Sequence, residues 1–321
     1  MTSIILPTYN RAHLLPTAIK SAQGSAKDIE IIVVDDGSTD NTPSVCANYK
    51  DLRVIRLPKN RGLANARNTG ILAATGDLIA FLDDDDRRFP NSIDLQSEIL
   101  TKDPTAALIY GKITCLPNHS EWPIQCHSGD IFWKLIECNF IPVTAVLVRK
   151  QALLDAGLFD SNLRVAEDWD VWLRIAANHR ILAMEEPVAY YQTANLLSGQ
   201  LSSNCVTMSR TCARVQARAL SSVRGLAGGT ALRKKLRHRH LLRSWSELTL
   251  ASTQYLLARD RKNAAHCLLN AFCMMPNYSF RSNQFIRLVK LVITSENHSE
   301  TKNTRKEIFS LVKILDEEAG C

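Results

Sequence analysis

The sequence predicts an α/β fold with a mostly parallel central sheet, followed by an all-helical C-terminal region. Two observations predict the sheet: short β-branched runs recur through the first 90 residues, and helix-like stretches separate them. The resulting βαβαβαβ order favours a Rossmann-like sheet with right-handed crossovers. A third observation, the helical pattern of residues 205–321, predicts the C-terminal region.

Individual elements follow from these patterns. The strands predicted in the first hundred residues are 2–6, 29–34, 53–57 and 78–82. The helices predicted around them are 12–22, one from residue 42 with Pro43 in its first turn, 63–74, and one opened by Pro90 that runs to residue 100. We expect Gly76 to cap the third of these helices. Farther along, strands are predicted over 106–110, 144–149 and 188–192, helices over 150–156 and 168–177, and a loop over 195–204.

The composition is that of a globular protein. The chain has 321 residues, of which 45% are hydrophobic and 22% are charged. No apolar run approaches the roughly 18 residues that a membrane helix needs, and the start lacks the basic and apolar regions of a signal peptide. We therefore expect a cytoplasmic protein. Its nine cysteines include no C-x-x-C pair, which argues against zinc or thiol redox chemistry.

Charge divides the chain near residue 200. Residues 1–200 contain 19 Lys and Arg against 24 Asp and Glu, whereas residues 201–321 contain 20 against 8. The two parts therefore carry formal net charges of −5 and +12. This shift in charge, together with the shift in pattern, predicts two domains over residues 1–204 and 205–321.

Three polar clusters directly follow predicted strands: Pro7–Arg11, Asp35–Asp40 and Asp83–Asp86. The carboxyl ends of parallel strands meet at one edge of a sheet, and ligands of open α/β sheets bind there. Carboxylates brought together repel one another unless a cation lies among them. The arrangement therefore predicts a divalent metal ion at this edge, together with a ligand that the metal holds.

The run Asp83–Asp86 is the strongest single signal. Carboxylates supply the hard oxygen ligands that suit Mg²⁺ or Mn²⁺, and these ions in turn hold phosphates. Because side chains alternate along a strand, we expect Asp83 and Asp85 to share one face. A solvated acidic turn is the alternative, and the position of the run after a buried apolar strand favours the metal site.

Two further acidic clusters allow more than one interpretation. Asp36 can accept a hydrogen bond from a nucleobase N–H or a ribose hydroxyl, while the residues from Ser38 to Asp40 suit the cap of the next helix. The stretch Glu167–Asp170 opens a predicted helix, where the helix dipole stabilises carboxylates. Such a position can also hold the general base that an acceptor hydroxyl needs.

Five motifs of the first 200 residues together resemble those of the family 2 glycosyltransferases, which have the GT-A fold. Five motifs in register are far more specific than any one of them alone, and their order and spacing match the family. The motifs are Pro7–Arg11, Asp35–Asp40, Gly62–Asn68, Phe81–Asp86 and Glu167–Asp170.

The resemblance implies an inverting hexosyl- or N-acetylhexosaminyl-transferase that uses a nucleotide-diphospho-sugar, usually a UDP-sugar. In such enzymes the residue matching Pro7 or Thr8 lies by the nucleoside. By the same resemblance, Asp36 would pair with the base and Asp84 would lie near the ribose. Arg67 occupies a family-like position near the nucleotide.

The resemblance also implies how the transfer occurs. The pair Asp83-x-Asp85 would serve as the D-x-D motif that binds the donor and Mn²⁺ or Mg²⁺, with Asp85 as the direct metal ligand. Asp168 would be the catalytic base. The acceptor would be a glycan or a lipid-linked sugar, as in polysaccharide and cell-envelope biosynthesis. The chain departs from the family on the acceptor side, because Tyr190–Asn195 contains neither the Arg nor the His of many members.

Two other classes of function are alternatives. A sugar nucleotidyltransferase usually carries a glycine-rich phosphate loop near its first strand, and Pro7–Arg11 contains no glycine. A non-catalytic nucleotide-sugar-binding scaffold is the second alternative, and the presence of both Asp85 and Asp168 argues against it.

The basic region over residues 205–321 has three interpretations. It can be a solvated helical cap on the catalytic domain. It can bind anionic lipid head groups, which would make the protein peripheral at the inner face of the membrane, where a lipid-linked acceptor resides. Nucleic-acid binding is the third interpretation and is disfavoured, because the region lacks a motif that reads RNA or DNA.

Overall fold

The computed structural model describes residues 1–121, 125–192, 205–257, 260–275, 279 and 282–294. The chain divides into two compact units, Met1–Thr193 and Ala194–Cys321. The predicted domain boundary lies after residue 204, so the two divisions differ by residues 194–204. These residues, and with them the predicted loop over 195–204, lie outside the described residues.

The described part of the first unit contains one nine-stranded sheet in the order β3-β2-β1-β4-β8-β6-β9-β5, with β7 paired to β6. The strands are β1 (Thr2–Thr8), β2 (Ile29–Asp35), β3 (Leu52–Arg56), β4 (Leu78–Phe81), β5 (Arg87–Arg88), β6 (Ala106–Leu116), β7 (Ser120–Glu121), β8 (Val146–Arg149) and β9 (Arg180–Gln192). β1 to β4 run parallel, as do β6 and β9. β8 is antiparallel to β4 and β6, and β5 is antiparallel to β9. The predicted α/β class with a mostly parallel sheet is confirmed.

Helices cover the sheet and connect its strands. They are α1 (Leu15–Gln23), α2 (Thr42–Ala47), α3 (Leu63–Ala73), α4 (Ser92–Lys102), α5 (Phe132–Glu137), α6 (Lys150–Asp155) and α7 (Glu167–Ala176), with a 3₁₀ turn over Val143–Ala145. Helices α1 to α3 are the crossovers between the parallel strands, which explains the alternating pattern of the sequence. α7 precedes β9, the longest strand of the sheet among the described residues.

Helix α3 lies very close to the sheet at Gly70. A Cβ atom at this position would overlap the Cγ2 atom of Ile5 in β1 and would lie 3.3 Å from the Cγ2 atom of Val34 in β2. Glycine therefore permits a helix-to-sheet approach that a larger residue would prevent. Arg67 lies three residues earlier, so it shares the sheet-facing side of α3 with Gly70.

Gly76 does not cap α3, and that prediction is wrong. The helix ends at Ala73, and its C-cap residue is Ala74 in an extended conformation. A Cβ atom at Gly76 would instead lie 2.8 Å from the carbonyl oxygen of Met1 and from the backbone nitrogen of Ser3. Glycine is required here because the chain passes directly against the start of β1.

The second unit is helical in its described residues, as predicted. Its helices are α8 (Cys205–Ser221), α9 (Val223–Ala227), α10 (Gly229–Leu257), α11 (Arg261–Met274) and α12 (Asn283–Thr294). They have a core of their own, in which Trp245, Leu248 and Leu288 are fully buried. The indole N–H of Trp245 donates a hydrogen bond of 2.8 Å to the Oγ of Ser279. Over the described ranges, no helix has the length and apolar character to cross a membrane.

Candidate active site

The polar clusters that follow β1, β2 and β4 meet at the carboxyl edge of these three strands. The Oγ1 of Thr8 donates a hydrogen bond of 2.8 Å to the Oδ2 of Asp84. The backbone N–H of Asn10 donates to the Oγ of Ser38 over 2.9 Å, and the Oδ1 of Asn10 accepts from the backbone N–H of Thr39 over 2.7 Å. Residues at the end of β1 therefore contact both neighbouring clusters.

The four consecutive aspartates form a turn after the end of β4. The alternation of side chains along a strand does not apply in a turn, so a shared face of Asp83 and Asp85 does not follow from strand geometry and stays a prediction. Asp83 instead pairs with Arg67, and Asp85 pairs with Arg11. We call residues 83–86 the aspartate turn.

Arg11 contacts two carboxylates of the aspartate turn. Its Nη1 lies 2.9 Å from the Oδ1 of Asp84 and 3.0 Å from the Oδ2 of Asp85. Burial raises the pKa of Asp84 to about 6, although Arg11 and Thr8 act to lower it. The guanidinium of Arg11 thus offsets part of the negative charge at this edge of the sheet.

Arg67 joins the aspartate turn to the start of α7, which lies 100 residues farther along the chain. Its side chain is buried, with Nη2 2.7 Å from the Oδ1 of Asp83 and Nη1 2.5 Å from the Oε1 of Glu167. It also lies over the ring of Phe159, 5.5 Å from the ring centroid. Burial alone lowers the pKa of Arg67, but the two carboxylates more than compensate and raise it above its ordinary value. The guanidinium is a permanent positive charge between the two acidic segments.

Asp168 lies beside this ion pair in the first turn of α7. Its Oδ1 accepts a hydrogen bond of 2.7 Å from the backbone N–H of Trp169, and its Oδ2 accepts one of 3.1 Å from the Nδ2 of Asn139. Desolvation by the surrounding protein raises the pKa of Asp168, while Arg67 and these two hydrogen bonds counteract the rise. The arrangement leaves a partly exposed carboxylate with increased affinity for a proton.

The backbone around Asp168 is held firmly. Ala166, the residue before α7, has a φ of +57°, a left-handed conformation that costs a non-glycine residue about 1 kcal/mol. Such a conformation persists where the surroundings determine it. Two buried side chains, Trp169 and Trp172, anchor the helix, and the Nε1 of Trp169 donates to the carbonyl oxygen of Leu135 over 2.7 Å. The start of α7 is therefore fixed by packing on both sides.

Asp36 organises the segment that leads into α3. Its two carboxylate oxygens accept hydrogen bonds of 2.8 Å from the backbone N–H groups of Arg61 and Gly62. The next residue, Gly37, has a φ of +76°, and a Cβ atom there would come within 2.7 Å of the facing backbone. Pro7 lies buried within β1, in register with β2. Contacts of Asp36 and Pro7 with a nucleoside stay predictions.

The carboxylates of the aspartate turn fit a divalent metal ion by their chemistry. Asp83 and Asp85 present hard oxygen atoms, and their side chains are 26% and 17% exposed. In phosphate-binding sites, Mg²⁺ uses one or two carboxylates and completes its shell with water and substrate phosphates. Throughout the described part of the chain, no three His, Cys, Asp or Glu side chains converge into a complete metal cage. The donor set therefore suits an ion that shares its coordination with a diphosphate.

Asp86 ties the aspartate turn to the end of β9. Its buried Oδ1 accepts a hydrogen bond of 2.8 Å from the backbone N–H of Gln192. Burial raises the pKa of Asp86 well above its ordinary value. Nearby, β5 pairs with β9, and the ring of Phe89 stacks on that of Tyr190 with 4.2 Å between centroids. Strand β9, which leads towards the predicted acceptor side, is thus attached to the aspartate turn as far as Gln192.

Sequence reasoning assigned no role to Arg11, Asn139 or Glu167. Arg11 and Glu167 lie within the motifs that drew attention to the site, and their charges are the signal that could have identified them as partners of the aspartates. Asn139 lies in an irregular stretch after α5 and has no local signal, because only the fold brings its amide to Asp168.

Solved structures share the fold of this chain. Staphylococcus aureus TarS in complex with UDP-GlcNAc superimposes with a TM-score of 0.63 at 19% identity, covering 98% of this chain and 90% of that one. Mannosyltransferase PcManGT from Pyrobaculum calidifontis, in complex with GDP-Man and Mn²⁺, gives a TM-score of 0.57 at 18% identity, covering 99% and 85%. At these identities the likeness shows the GT-A fold alone.

Curated relatives share more of the sequence. An uncharacterized glycosyltransferase of Rickettsia typhi is 32% identical over 221 residues, which cover 63% of this chain and 68% of that protein. The UDP-Glc:alpha-D-GlcNAc-diphosphoundecaprenol beta-1,3-glucosyltransferase WfgD of Escherichia coli is 31% identical over 189 residues, which cover 57% and 73%. The sequence model of glycosyl transferase family 2 matches residues 3–157. With these relatives and this site, the chain belongs to glycosyl transferase family 2 and is a glycosyltransferase.

Proposed function

We propose that this glycosyltransferase moves a hexose or N-acetylhexosamine from a UDP-sugar to a hydroxyl of a glycan or lipid-linked acceptor, with inversion at the anomeric carbon. The observation that carries the proposal is the position of Arg67, whose guanidinium joins Asp83 to Glu167. Glu167 precedes Asp168, the carboxylate with increased proton affinity. The groups suited to a donor and the group suited to an acceptor proton therefore lie on either side of one buried cation.

The donor would bind along the carboxyl edge of β1, β2 and β4. Pro7 and Thr8 would lie by the nucleoside, and Asp84, which accepts from Thr8, would lie near the ribose. Asp36 already accepts two backbone hydrogen bonds. Each carboxylate oxygen can accept more than one, so Asp36 retains capacity for a nucleobase N–H. Arg67 would stay near the diphosphate side of the nucleotide.

Asp85 and Asp83 would hold Mn²⁺ or Mg²⁺, and the bound ion would supply positive charge to offset the charge that develops on the leaving diphosphate. Arg11 pairs with Asp85, and Arg67 pairs with Asp83. These arginines limit the repulsion between the aspartates, so the turn can keep its shape before a donor binds.

Asp168 would take the proton of the acceptor hydroxyl as that oxygen attacks the anomeric carbon from the face opposite the diphosphate. A single displacement of this kind inverts the carbon and needs no enzyme nucleophile. A raised pKa strengthens Asp168 as a base near neutral pH. Asn139 and the backbone of Trp169 donate to its two oxygens and so orient the carboxylate.

The relatives support the choice of substrates. The name of WfgD specifies UDP-Glc and a diphosphoundecaprenol-linked sugar, and TarS was solved with UDP-GlcNAc. The Mn²⁺ of the PcManGT complex supports a divalent ion. We further propose that residues 1–204 form the catalytic domain and that the basic region over 205–321 associates with an anionic membrane surface.

A panel of donors tests the proposal. The full chain is heated with UDP-, GDP- and dTDP-sugars in the presence of Mn²⁺, Mg²⁺ or EDTA, while unfolding and slow donor hydrolysis are followed. We expect a UDP-sugar with metal to stabilise the protein by about 2.7 kcal/mol at a hundredfold excess over its Kd. The absence of stabilisation by every nucleotide sugar would contradict the donor site.

A pair of variants controls for nonspecific effects in this panel. Asp85→Asn should lose the metal-dependent part of the stabilisation. Asp28→Asn changes a side chain that is 81% exposed and pairs with the N-terminus, so it should respond to donor and metal as the unmodified protein does.

A further inference from the structure

One stretch of the helical unit is basic without interruption. From Cys205 to Ser246 the chain contains ten Lys and Arg and no Asp or Glu, and the first acidic residue after it is Glu247. The same stretch carries exposed apolar side chains on the short helix α9. Val223 is 89% exposed and Leu226 is 54% exposed. Exposed apolar side chains on a basic stretch of chain are typical of surfaces that meet lipid.

The backbone of α9 fixes the outward position of these two side chains. The Oγ of Ser222 accepts a hydrogen bond of 3.1 Å from the backbone N–H of Gly225 and caps the helix. Gly225 is buried, and a Cβ atom there would overlap the carbonyl oxygen of Ala219 at the end of α8. The Gly225 side of α9 therefore packs directly against α8. Val223 and Leu226 are three residues apart, so they share a side of the helix, and both are exposed.

Two exposed lysines follow α9 along the chain. Lys234 and Lys235 are both exposed in the first two turns of α10, roughly 9 Å along the axis from its start at Gly229. α10 packs against α9, so these ammonium groups belong to the same part of the unit as the apolar pair. We call Val223, Leu226, Lys234 and Lys235 the α9 patch.

We propose that the α9 patch docks on an anionic lipid bilayer. Val223 and Leu226 enter the boundary between head groups and acyl chains, where their apolar surface leaves water. Lys234 and Lys235 lie at the level of the lipid phosphates, which they attract. This docking rests on the membrane association proposed above for residues 205–321, but it does not depend on which sugar is transferred or on the transfer itself.

The side chains of this stretch favour lipid over nucleic acid. Proteins that bind single-stranded nucleic acid combine cations with aromatic side chains on which bases stack. No Phe, Tyr or Trp occurs from Cys205 to Ser244. The exposed groups are aliphatic instead, and aliphatic side chains suit the hydrocarbon of a membrane.

Vesicle sedimentation with the full chain tests the proposal. Vesicles of phosphatidylcholine alone are compared with vesicles that also contain phosphatidylglycerol. We expect binding to the anionic vesicles that decreases with added salt. Lys234→Gln with Lys235→Gln should lower partitioning about thirtyfold, because each cation near an anionic surface contributes a factor of about five. Val223→Ser with Leu226→Ser should lower it about tenfold, by loss of apolar contact.

Matched substitutions on α11 of the same unit are the controls. Leu269 is 61% exposed and Lys262 is exposed, and neither belongs to the α9 patch. Leu269→Ser and Lys262→Gln should leave partitioning unchanged. All variants alter exposed side chains, and circular dichroism and thermal unfolding confirm that each one folds.

Three results would overturn the proposal. The first is equal binding of the unmodified protein to neutral and anionic vesicles. The second is partitioning of the α9-patch variants at the level of the controls. The third is evidence that the patch binds a different partner. A vesicle signal that a single-stranded RNA oligonucleotide displaces would assign the patch to RNA. A size measurement showing that Val223→Ser with Leu226→Ser dissociates a dimer would assign it to a second copy of the chain. Loss of donor binding in the separate donor panel would leave the lipid result unaffected.

Discussion

The aspartate turn and the start of α7 are both acidic, but their carboxylates have different partners. In the turn, Asp83 pairs with Arg67, and Asp85 pairs with Arg11. Asp168 accepts hydrogen bonds from a backbone N–H and from the amide of Asn139, and its pKa is raised. The carboxylates of Asp83 and Asp85 thus pair with guanidinium groups, whereas the carboxylate of Asp168, the proposed base, accepts its hydrogen bonds from neutral donors.

Arg67 contacts one carboxylate in each of the two segments, but it does not bond directly to Asp168. Its guanidinium contacts Glu167 and leaves the neighbouring Asp168 to Asn139 and Trp169. An arginine bonded directly to the base would lower the pKa of that base and weaken it. Burial raises the pKa of Asp168 more than Arg67, which contacts the neighbouring Glu167, lowers it.

The largest expected effect follows from removing the proton acceptor. Asp168→Asn retains an oxygen that can accept the hydrogen bond of Trp169, but it cannot take up a proton. We expect the transfer rate to fall about 10²- to 10⁴-fold, the range that a general base contributes. Donor binding, measured by thermal shift, should be unchanged.

A second carboxylate of α7 provides the control for this variant. Asp170 is buried and pairs with Arg174 at 2.7 Å, so Asp170→Asn should lower stability without a comparable loss of rate in the folded enzyme. Transfer by Asp168→Asn at the rate of the unmodified enzyme would contradict the assignment of the base.

Removing the shared cation should affect the fold itself. Arg67→Met leaves Asp83 and Glu167 without their guanidinium in a buried environment, which costs about 3–5 kcal/mol of unfolding free energy. Urea denaturation measures this loss. Adding Glu167→Gln to Arg67→Met should recover part of it, since the second change removes one of the unpaired charges.

An exposed ion pair of the same unit is the comparison for Arg67. Arg53 and Glu30 lie 3.3 Å apart, and Arg53 is 47% exposed. Arg53→Gln should cost less than about 1 kcal/mol. Equal losses for Arg53→Gln and Arg67→Met would show that the buried bridge has no special role in stability.

The smallest of the three effects concerns Asp84 and pH. Its folded pKa of about 6 lies above the ordinary value of 3.8, so the folded state retains the proton more strongly than the unfolded state. Stability from this group is complete below pH of about 4 and is lost as pH rises to about 6, by about 3 kcal/mol. Asp84→Asn should remove this part of the pH dependence, measured by urea denaturation in EDTA.

Arg11 influences the pH at which the loss of stability from Asp84 is complete. Because Arg11 lowers the pKa of Asp84, Arg11→Gln should shift the upper limit of the window above pH 6 and enlarge the loss. An Arg11→Gln variant with the pH profile of the unmodified protein would show that the guanidinium does not act on Asp84.

The meeting of polar clusters at the carboxyl edge of β1, β2 and β4 could be predicted from the sequence because these groups follow parallel strands. Strand ends are local features, and parallel pairing brings them together, so the contact between Thr8 and Asp84 follows from the topology. The geometry within the aspartate turn could not be predicted in the same way. Strand periodicity ends with β4, and the partners of the aspartates then decide where the side chains lie.

The base side required the tertiary fold. Arg67 and Glu167 are separated by 100 residues, and Asn139 reaches Asp168 from an irregular segment. No local pattern specifies such contacts, because they depend on tertiary packing, such as that of α5 against α7. Gly76 is the opposite case: the local pattern predicts a helix cap, but the close approach of the backbone to the start of β1 is what requires the glycine.

Gly70 has a consequence for chemistry at a distance. It allows α3 to approach Ile5 and Val34, and Arg67 projects from the same side of that helix. The distance between α3 and the sheet thus determines how far the guanidinium of Arg67 extends between Asp83 and Glu167. An added methyl group at Gly70 would overlap the Cγ2 atom of Ile5, so we expect α3 to move away from the sheet and to carry the guanidinium of Arg67 away from Asp83 and Glu167. The absence of a side chain at Gly70 therefore helps to set the position of Arg67 in the candidate active site.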